Sequence, residues 1–307
     1  MHRIRTATEM TPSRGTDRPW RSVPRDRASV RFRFLCCLIC GVAISPVGAA
    51  DPVEKRSGVD PAAVTDQSPK SERSEFMKRS LLAYDVTVGA ARMRPTLLAE
   101  PSLRWDNQVS KVPDGSLYLW TDAESRPVIA VQVFIAGGTK DLWLHEFQSL
   151  TAEPLQVVQK GKPIWTPRRG GIALQPVSDA PPPSQTRPGR LSQMKQIAQR
   201  YKAEDEFEEK SAWELRLLST PVHRWEGKSG STLIDGALFV YVHGTDPEAL
   251  LFLEAQRTQA GEAWKSSFAP MTGYALKIRE QDRPVWSISK RMDPYDPNEP
   301  FFCLPVK

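Results

Sequence analysis

Asp235–Gln256 reads "DGALFVYVHGTDPEALLFLEAQ". Two runs rich in aliphatic and aromatic residues, "DGALFVYV" (235–242) and "EALLFLEAQ" (248–256), flank "HGTDP" (His243–Pro247). Strand-forming runs separated by a short stretch of Gly, Asp and Pro predict a β-hairpin. "GYALKIREQDRPVWSI" (273–288) predicts a second hairpin, turning near Gln281–Asp282.

Moving outward, the earlier half of the chain carries matching runs. These are "DGSLYLWT" (114–121), "RPVIAVQVFI" (126–135), "LWLHEFQSL" (142–150) and "PLQVVQKGKPIWT" (154–166), the last turning at Lys160–Gly161. Just before them "LLAEPSLRW" (97–105) shares five of nine residues with "LLSTPVHRW" (217–225). An ungapped offset of 121 then carries 114–165 onto 235–286 with nine identities, Trp143/Trp264 and Trp165/Trp286 among them, where composition alone gives about three. Helical periodicity precedes each block. In "RLSQMKQIAQRYKAEDEFEEK" it spaces Leu191, Met194, Ile197, Ala198 and Tyr201, and a weaker counterpart runs from Phe76 to about Val86. The expectation is an α+β fold of two tandem repeats. Each would be an N-terminal helix followed by an antiparallel β-meander, the element order of the cystatin or nuclear-transport-factor roll, with the two packed as a pseudo-dimer.

Charge is distributed unevenly. Residues 1–50 hold nine Arg, no Lys and three acids, so 51–307 carry 33 bases against 33 acids. The net charge of +6 therefore comes from the N-terminus, and the neutral remainder lacks the basic excess of a nucleic-acid-binding surface. Behind those arginines, "FLCCLICGVAIS" (34–45) and the small residues Gly48, Ala49 and Ala50 form a signal-peptide pattern cleaved near Ala49–Asp51. An uncleaved short anchor is the alternative. Cleavage would leave an exported chain, periplasmic or secreted, with no transmembrane helix, and Cys303 alone could form no internal disulfide. The expected layout is a signal (1–50), a disordered spacer (51–72), a first repeat (73–177), a Pro-rich linker (178–189), a second repeat (190–290) and a Pro-rich tail (291–307).

Candidate sites are sparse. His223, His243 and Asp246 come closest to a constellation, with Asp246 otherwise a turn-capping residue and His243 a solvated loop residue. His145 and Glu146 are adjacent, and on a strand adjacent side chains face opposite ways. "HEFQS" (145–149) lacks the second histidine of a zinc helix, and no metal or cofactor is expected. Six of the tryptophans fall in matched pairs and read as core. Trp120 and Trp213 are unpaired and read as candidates for exposure. Arg168 and Arg169 in "PRRGG" are either an anion grip or an ordinary basic loop, and "EDEFEE" (204–209) reads as a solvated helix end.

"ELRLLSTPVHRW" (214–225), the 235–256 hairpin and "RPVW" (283–286), behind a signal peptide, resemble a family of exported proteins from planctomycete-type bacteria to which no activity is attached. The likeness covers mainly residues 97–290. It implies export and a shared fold, and it transfers no catalytic residue. The functional expectation is an exported non-enzymatic module binding an unknown protein partner or envelope ligand. The alternative is a hydrolase or isomerase using the His223/His243/Asp246 region.

Overall fold

The computed structural model describes residues 64–208, 211–291 and 293–306. The signal reading of 1–50, with its cleavage point, and residues 51–63 of the spacer lie outside the described residues. The first half runs α1 (Lys70–Leu81), β1 (Tyr84–Val88), β2 (Thr96–Leu97), β3 (Leu103–Asn107), β4 (Val112–Thr121), β5 (Pro127–Ile135), β6 (Trp143–Ser149), β7 (Leu155–Gln159), β8 (Lys162–Trp165) and the short β9 (Gln175–Pro176). The second runs α2 (Arg187–Gln199), β10 (Tyr201–Glu208), β11 (Ser211–Leu217), β12 (His223–Glu226), β13 (Leu233–His243), β14 (Asp246–Thr258), β15 (Gly261–Pro270), β16 (Leu276–Glu280), β17 (Arg283–Ile288) and β18 (Phe301–Val306).

This architecture overturns the α+β expectation. The fold is mostly β, about half strand and a tenth helix, with two helices and three sheets, one of them a half-barrel. It is not a helix-plus-meander unit of cystatin or nuclear-transport-factor type written twice. Three features of the chain explain the difference. First, the helical periodicity stops early. α2 ends at Gln199 and Tyr201 already begins β10, so "EDEFEE" enters a strand with Asp205 buried inward rather than a solvated helix end. Second, the two halves distribute their strands differently. β1, β7 and β8 stand as a separate three-stranded sheet, whereas β10, β16 and β17 continue through β11 into a nine-stranded sheet. Third, the segment expected to be a tail supplies β18, which pairs with β6 along its whole length and completes a six-stranded sheet.

The other boundaries shift as well. Residues 64–72 of the expected spacer are structured: Val64 is buried in the core, and its carbonyl accepts a hydrogen bond from Trp143 Nε1 at 3.0 Å. Helix α2 starts inside the expected linker, where Pro188 occupies the first turn and Thr186 caps it by accepting from Gly189 N at 3.2 Å. Proline's fixed φ suits that turn, and its missing N–H costs nothing there.

The central strands are buried on both faces, which explains their nearly unbroken apolar runs. Leu238, Val240 and Val242 of β13, with Leu250 and Phe252 of β14, meet Leu117, Leu119 and Ala130 of the six-stranded sheet. The opposite face of the hairpin, through Phe239, Tyr241 and Leu251, packs on α2, which turns Met194, Ile197 and Ala198 inward. On the outer face of the six-stranded sheet, Val131, Val133, Trp143 and Phe147 pack under Phe76, Met77 and Leu81 of α1.

Each helix is pinned to its sheet in the same way. Asp114 accepts from Arg73 Nε (2.8 Å) and from Arg104 Nη2 (2.7 Å), whose guanidinium also reaches Lys70 O. Asp235 accepts from Arg190 Nε (2.7 Å) and Arg224 Nη2 (2.5 Å), and Arg224 reaches Arg187 O. The glycine after each aspartate is required as well: the indole of Trp105 lies on Gly115 and that of Trp225 on Gly236, so a Cβ at either position would run into the ring. The repeated "RW" and "DG" dipeptides thus form a helix-to-sheet clamp.

Candidate functional site

β13 and β14 are joined by two residues only, because His243 pairs with Asp246. Gly244 opens this turn at φ +63°, a left-handed value that favours glycine. Asp246 is therefore a strand residue rather than a loop cap, and it lies beside His243 across the ladder. The alternation of β10 brings Asp205 and Phe207 to the same place. His243 Nδ1 donates to Asp205 Oδ2 at 2.9 Å, and the imidazole is flanked by the rings of Phe207 and Trp213 at 5.0 and 5.3 Å.

Next to this cluster, the apolar seam between the two large sheets gives way to a polar cavity of about 300 Å³. Gln132 marks the transition. Its Nε2 donates to Pro247 O and Met271 O, 3.0 Å each, tying the six-stranded sheet to two neighbouring stretches of the nine-stranded one beside the cavity. Its neighbour across the ladder is Glu146, which in turn pairs with Cys303 of β18. Glu146 therefore faces the cavity, where it meets Asp246 and Glu248 from β14, with Phe134, Phe207 and Tyr274 in the wall. Glu248 is only 4% exposed, and its Oε2 is buried without a hydrogen-bond partner among the described residues.

Burial and mutual repulsion set the electrostatics. Desolvation is the main reason the Glu248 carboxyl lies well above the usual carboxylate range, with Asp246, Asp205 and Glu146 raising it further and a Thr272 hydrogen bond partly opposing them. Glu146 is likewise raised by burial and by Asp246, against an opposing effect of Arg291. Burial pushes Asp246 up to about 7, although hydrogen bonds from Ser110 and Asn107 favour its charged form. The Tyr274 hydroxyl is pushed up to about 12, chiefly by burial, and Arg291 is lowered to about 10 by the same cause. Arg291 stacks on Phe301 at 4.7 Å, and its Nη1 is buried without a partner.

No family model, curated protein or solved structure matches the chain. Among the described residues, no helix is long and apolar enough to cross a membrane. No three of the His, Cys, Asp and Glu side chains among them stand together closely enough to hold a metal ion.

The residues singled out from the sequence divide sharply. His243, Asp246 and Trp213 come together, and Trp213 is exposed as expected for an unpaired tryptophan, at 44%. His223 does not join them. It lies on β12 opposite Leu238, donates through Nε2 to Ser125 O at 2.8 Å and stacks on Trp225. Trp120, expected to be exposed, is buried in the core against Phe147. Arg168 and Arg169 are exposed, but their loop is pinned to the C-terminal segment. Arg168 N donates to Asn298 O, and Arg169 pairs with Glu299 at 2.6 Å. His145 points away from Glu146, into the core under α1. Ser80 gives its hydroxyl proton to Met77 O, so His145 Nε2 donates to Ser80 Oγ while Nδ1 accepts from Tyr84 at 2.8 Å. Burial holds this imidazole near 3, and therefore neutral.

The sequence reading passed over Glu248, Asp205, Phe207 and Tyr274. Period-two alternation through "YKAEDEF" (201–207) was the available signal for two of them.

A raised carboxyl value makes a testable statement about stability. Asp246 titrates near 4 when unfolded and near 7 when folded, so its protonated form stabilises the native state at low pH. That contribution is lost as pH rises from about 4 to about 7. Asp246→Asn is expected to flatten this decline and to gain on the order of 2–4 kcal/mol over the parent at pH 8. Urea denaturation at pH 5 and pH 8 measures it, and parallel pH profiles for the two proteins would refute the assignment.

Proposed function

We propose that the protein is an exported, non-enzymatic module that binds a small ligand in the cavity between its two large sheets. The observation that carries this reading is Glu248: a carboxylate oxygen buried at a cavity wall without a partner is costly unless something else completes it. The cavity has the mixed character of ligand sites, with apolar and aromatic walls and a few converging polar groups. The signal-like Phe34–Ala50 stretch supports export. The 2.9 Å His243–Asp205 contact favours a second reading, a hydrolase or isomerase using His243 and Asp246, because a carboxylate orients the imidazole as it would a general base. Against it, none of the described hydrogen bonds joins His243 Nε2 to a hydroxyl or thiol, and His223 lies on another strand.

Ligand-observed NMR with a library of small charged and neutral fragments tests the binding reading. Hits are expected on the parent protein and should disappear in Ala136→Trp, which fills the cavity from the end of β5. Equal hits on both proteins would place binding elsewhere and end the proposal.

A further inference from the structure

We propose that the ligand of this cavity is a small organic cation, an amine or amidine on an apolar or aromatic body; this rests on the binding reading above. Three carboxyl groups, Glu146, Asp246 and Glu248, share one cavity, and the Oε2 of Glu248 has no hydrogen-bond partner among the described residues. Like charges brought together in a desolvated space raise each other's cost of ionisation, and a cation placed among them removes that cost. The rest of the wall suits an organic body. Phe134, Phe207 and Tyr274 line it with aromatic surface of the kind that attracts cations, and Leu144 and Met271 add apolar wall. The carboxyls are too dispersed for an ion-sized cage, since no three of the described acidic, His or Cys side chains gather at ligating distance. A cation with an extended body spans such a spread where a single metal ion does not.

The same groups make binding depend on protons. The groups facing the three carboxyls are Asp205 and His243 from β10 and β13, Tyr274 ahead of β16, and, near Glu146, Arg291, Tyr295 and the Cys303 thiol of β18, which burial keeps protonated. Asp205 opposes their ionisation, Tyr274 stays protonated and neutral, and Arg291 partly favours ionised Glu146. With burial dominating, part of the acidic set holds protons at neutral pH. A bound cation expels them, so affinity rises from pH 5 to pH 8 while an aliphatic amine stays charged throughout.

Isothermal titration calorimetry with benzylamine, in two buffers of different ionisation enthalpy, reads both affinity and proton release. The expected result is saturable binding with protons released at pH 7. Benzyl alcohol and phenylacetate should bind at least about tenfold more weakly, as should benzylamine to Glu248→Gln. Ala136→Trp should abolish the signal. If benzyl alcohol or phenylacetate binds as well as benzylamine and Ala136→Trp still blocks it, the cation inference falls and the binding reading stands. If no probe gives a signal sensitive to Ala136→Trp, both fall. If calcium or magnesium ions displace benzylamine and bind more tightly through Glu248, the cavity is a metal site and the organic cation is wrong.

Discussion

Asp235→Ala is expected to lower the stability of the folded chain by about 3–5 kcal/mol, the cost of leaving buried charges without their partner. The Asp235 side chain is fully buried, and both arginines that reach it lose their carboxylate at once. Arg190 is itself buried at the start of α2, where it has carbonyls of Ser184 and Gln185 and the Glu226 carboxylate as remaining partners. The variant therefore loosens both the first turn of α2 and the start of β13. Urea unfolding should show a lower midpoint with an unchanged slope. A control separates the lost carboxylate from loss of charge as such: adding Arg190→Met and Arg224→Leu to Asp235→Ala should recover much of the loss, because apolar replacement of a whole buried ion cluster is often neutral. A loss below about 1 kcal/mol for Asp235→Ala would show that water reaches the cluster and that the clamp is not buried in solution.

Ending the chain at Lys290 is expected to have a still larger effect. The removed segment contains β18, whose Phe301, Phe302 and Cys303 are all buried. Losing two buried phenylalanines costs about 6–10 kcal/mol at the usual 3–5 for each, which rivals the roughly 5–15 kcal/mol that holds a whole domain. The deletion also bares β6 as an unprotected edge, and it removes the Glu299 carbonyl that accepts from Trp165 Nε1 at 2.8 Å. The shortened chain should lack a cooperative thermal transition and should aggregate. A soluble product that unfolds cooperatively within a few degrees of the parent would show β18 to be an accessory strand.

These two cases show where the sequence speaks and where it is silent. The β13–β14 hairpin was legible because its strands are continuously apolar and Gly244 stands in its turn, with Asp246 and Pro247 just after it. The hairpin at Lys160–Gly161 was legible for a similar reason, with both residues at positive φ. β18 was not legible. It follows "DPYDPNEP" (293–300), a stretch whose prolines read as a loop, and a strand at the edge of a sheet draws its stability from a partner distant in sequence. Both helices were seen but carried past their C-terminal ends, the first placed at Phe76 to about Val86 where α1 spans Lys70–Leu81, and the second because Tyr201 fits both the helical spacing and the first strand position. Asp205 was hidden for a related reason: an acid in an acidic run looks solvated until the strand's alternation turns it inward to His243.

Composition, alternation and turn chemistry, which act over a few residues, were enough to place most strands and to mark His243, Asp246 and Trp213 as residues worth watching. They also showed which dipeptides recur, though not that "RW" and "DG" meet in a clamp. The number of sheets, the return of the C-terminal segment and the convergence of Glu146 with Asp246 and Glu248 depend on contacts between positions about a hundred residues or more apart. Such contacts form because buried faces must be covered and buried charges must find partners across the whole fold. Covering the faces of the two large sheets brings the three carboxyls of the cavity together in spite of their mutual repulsion, and no local pattern in the chain records it.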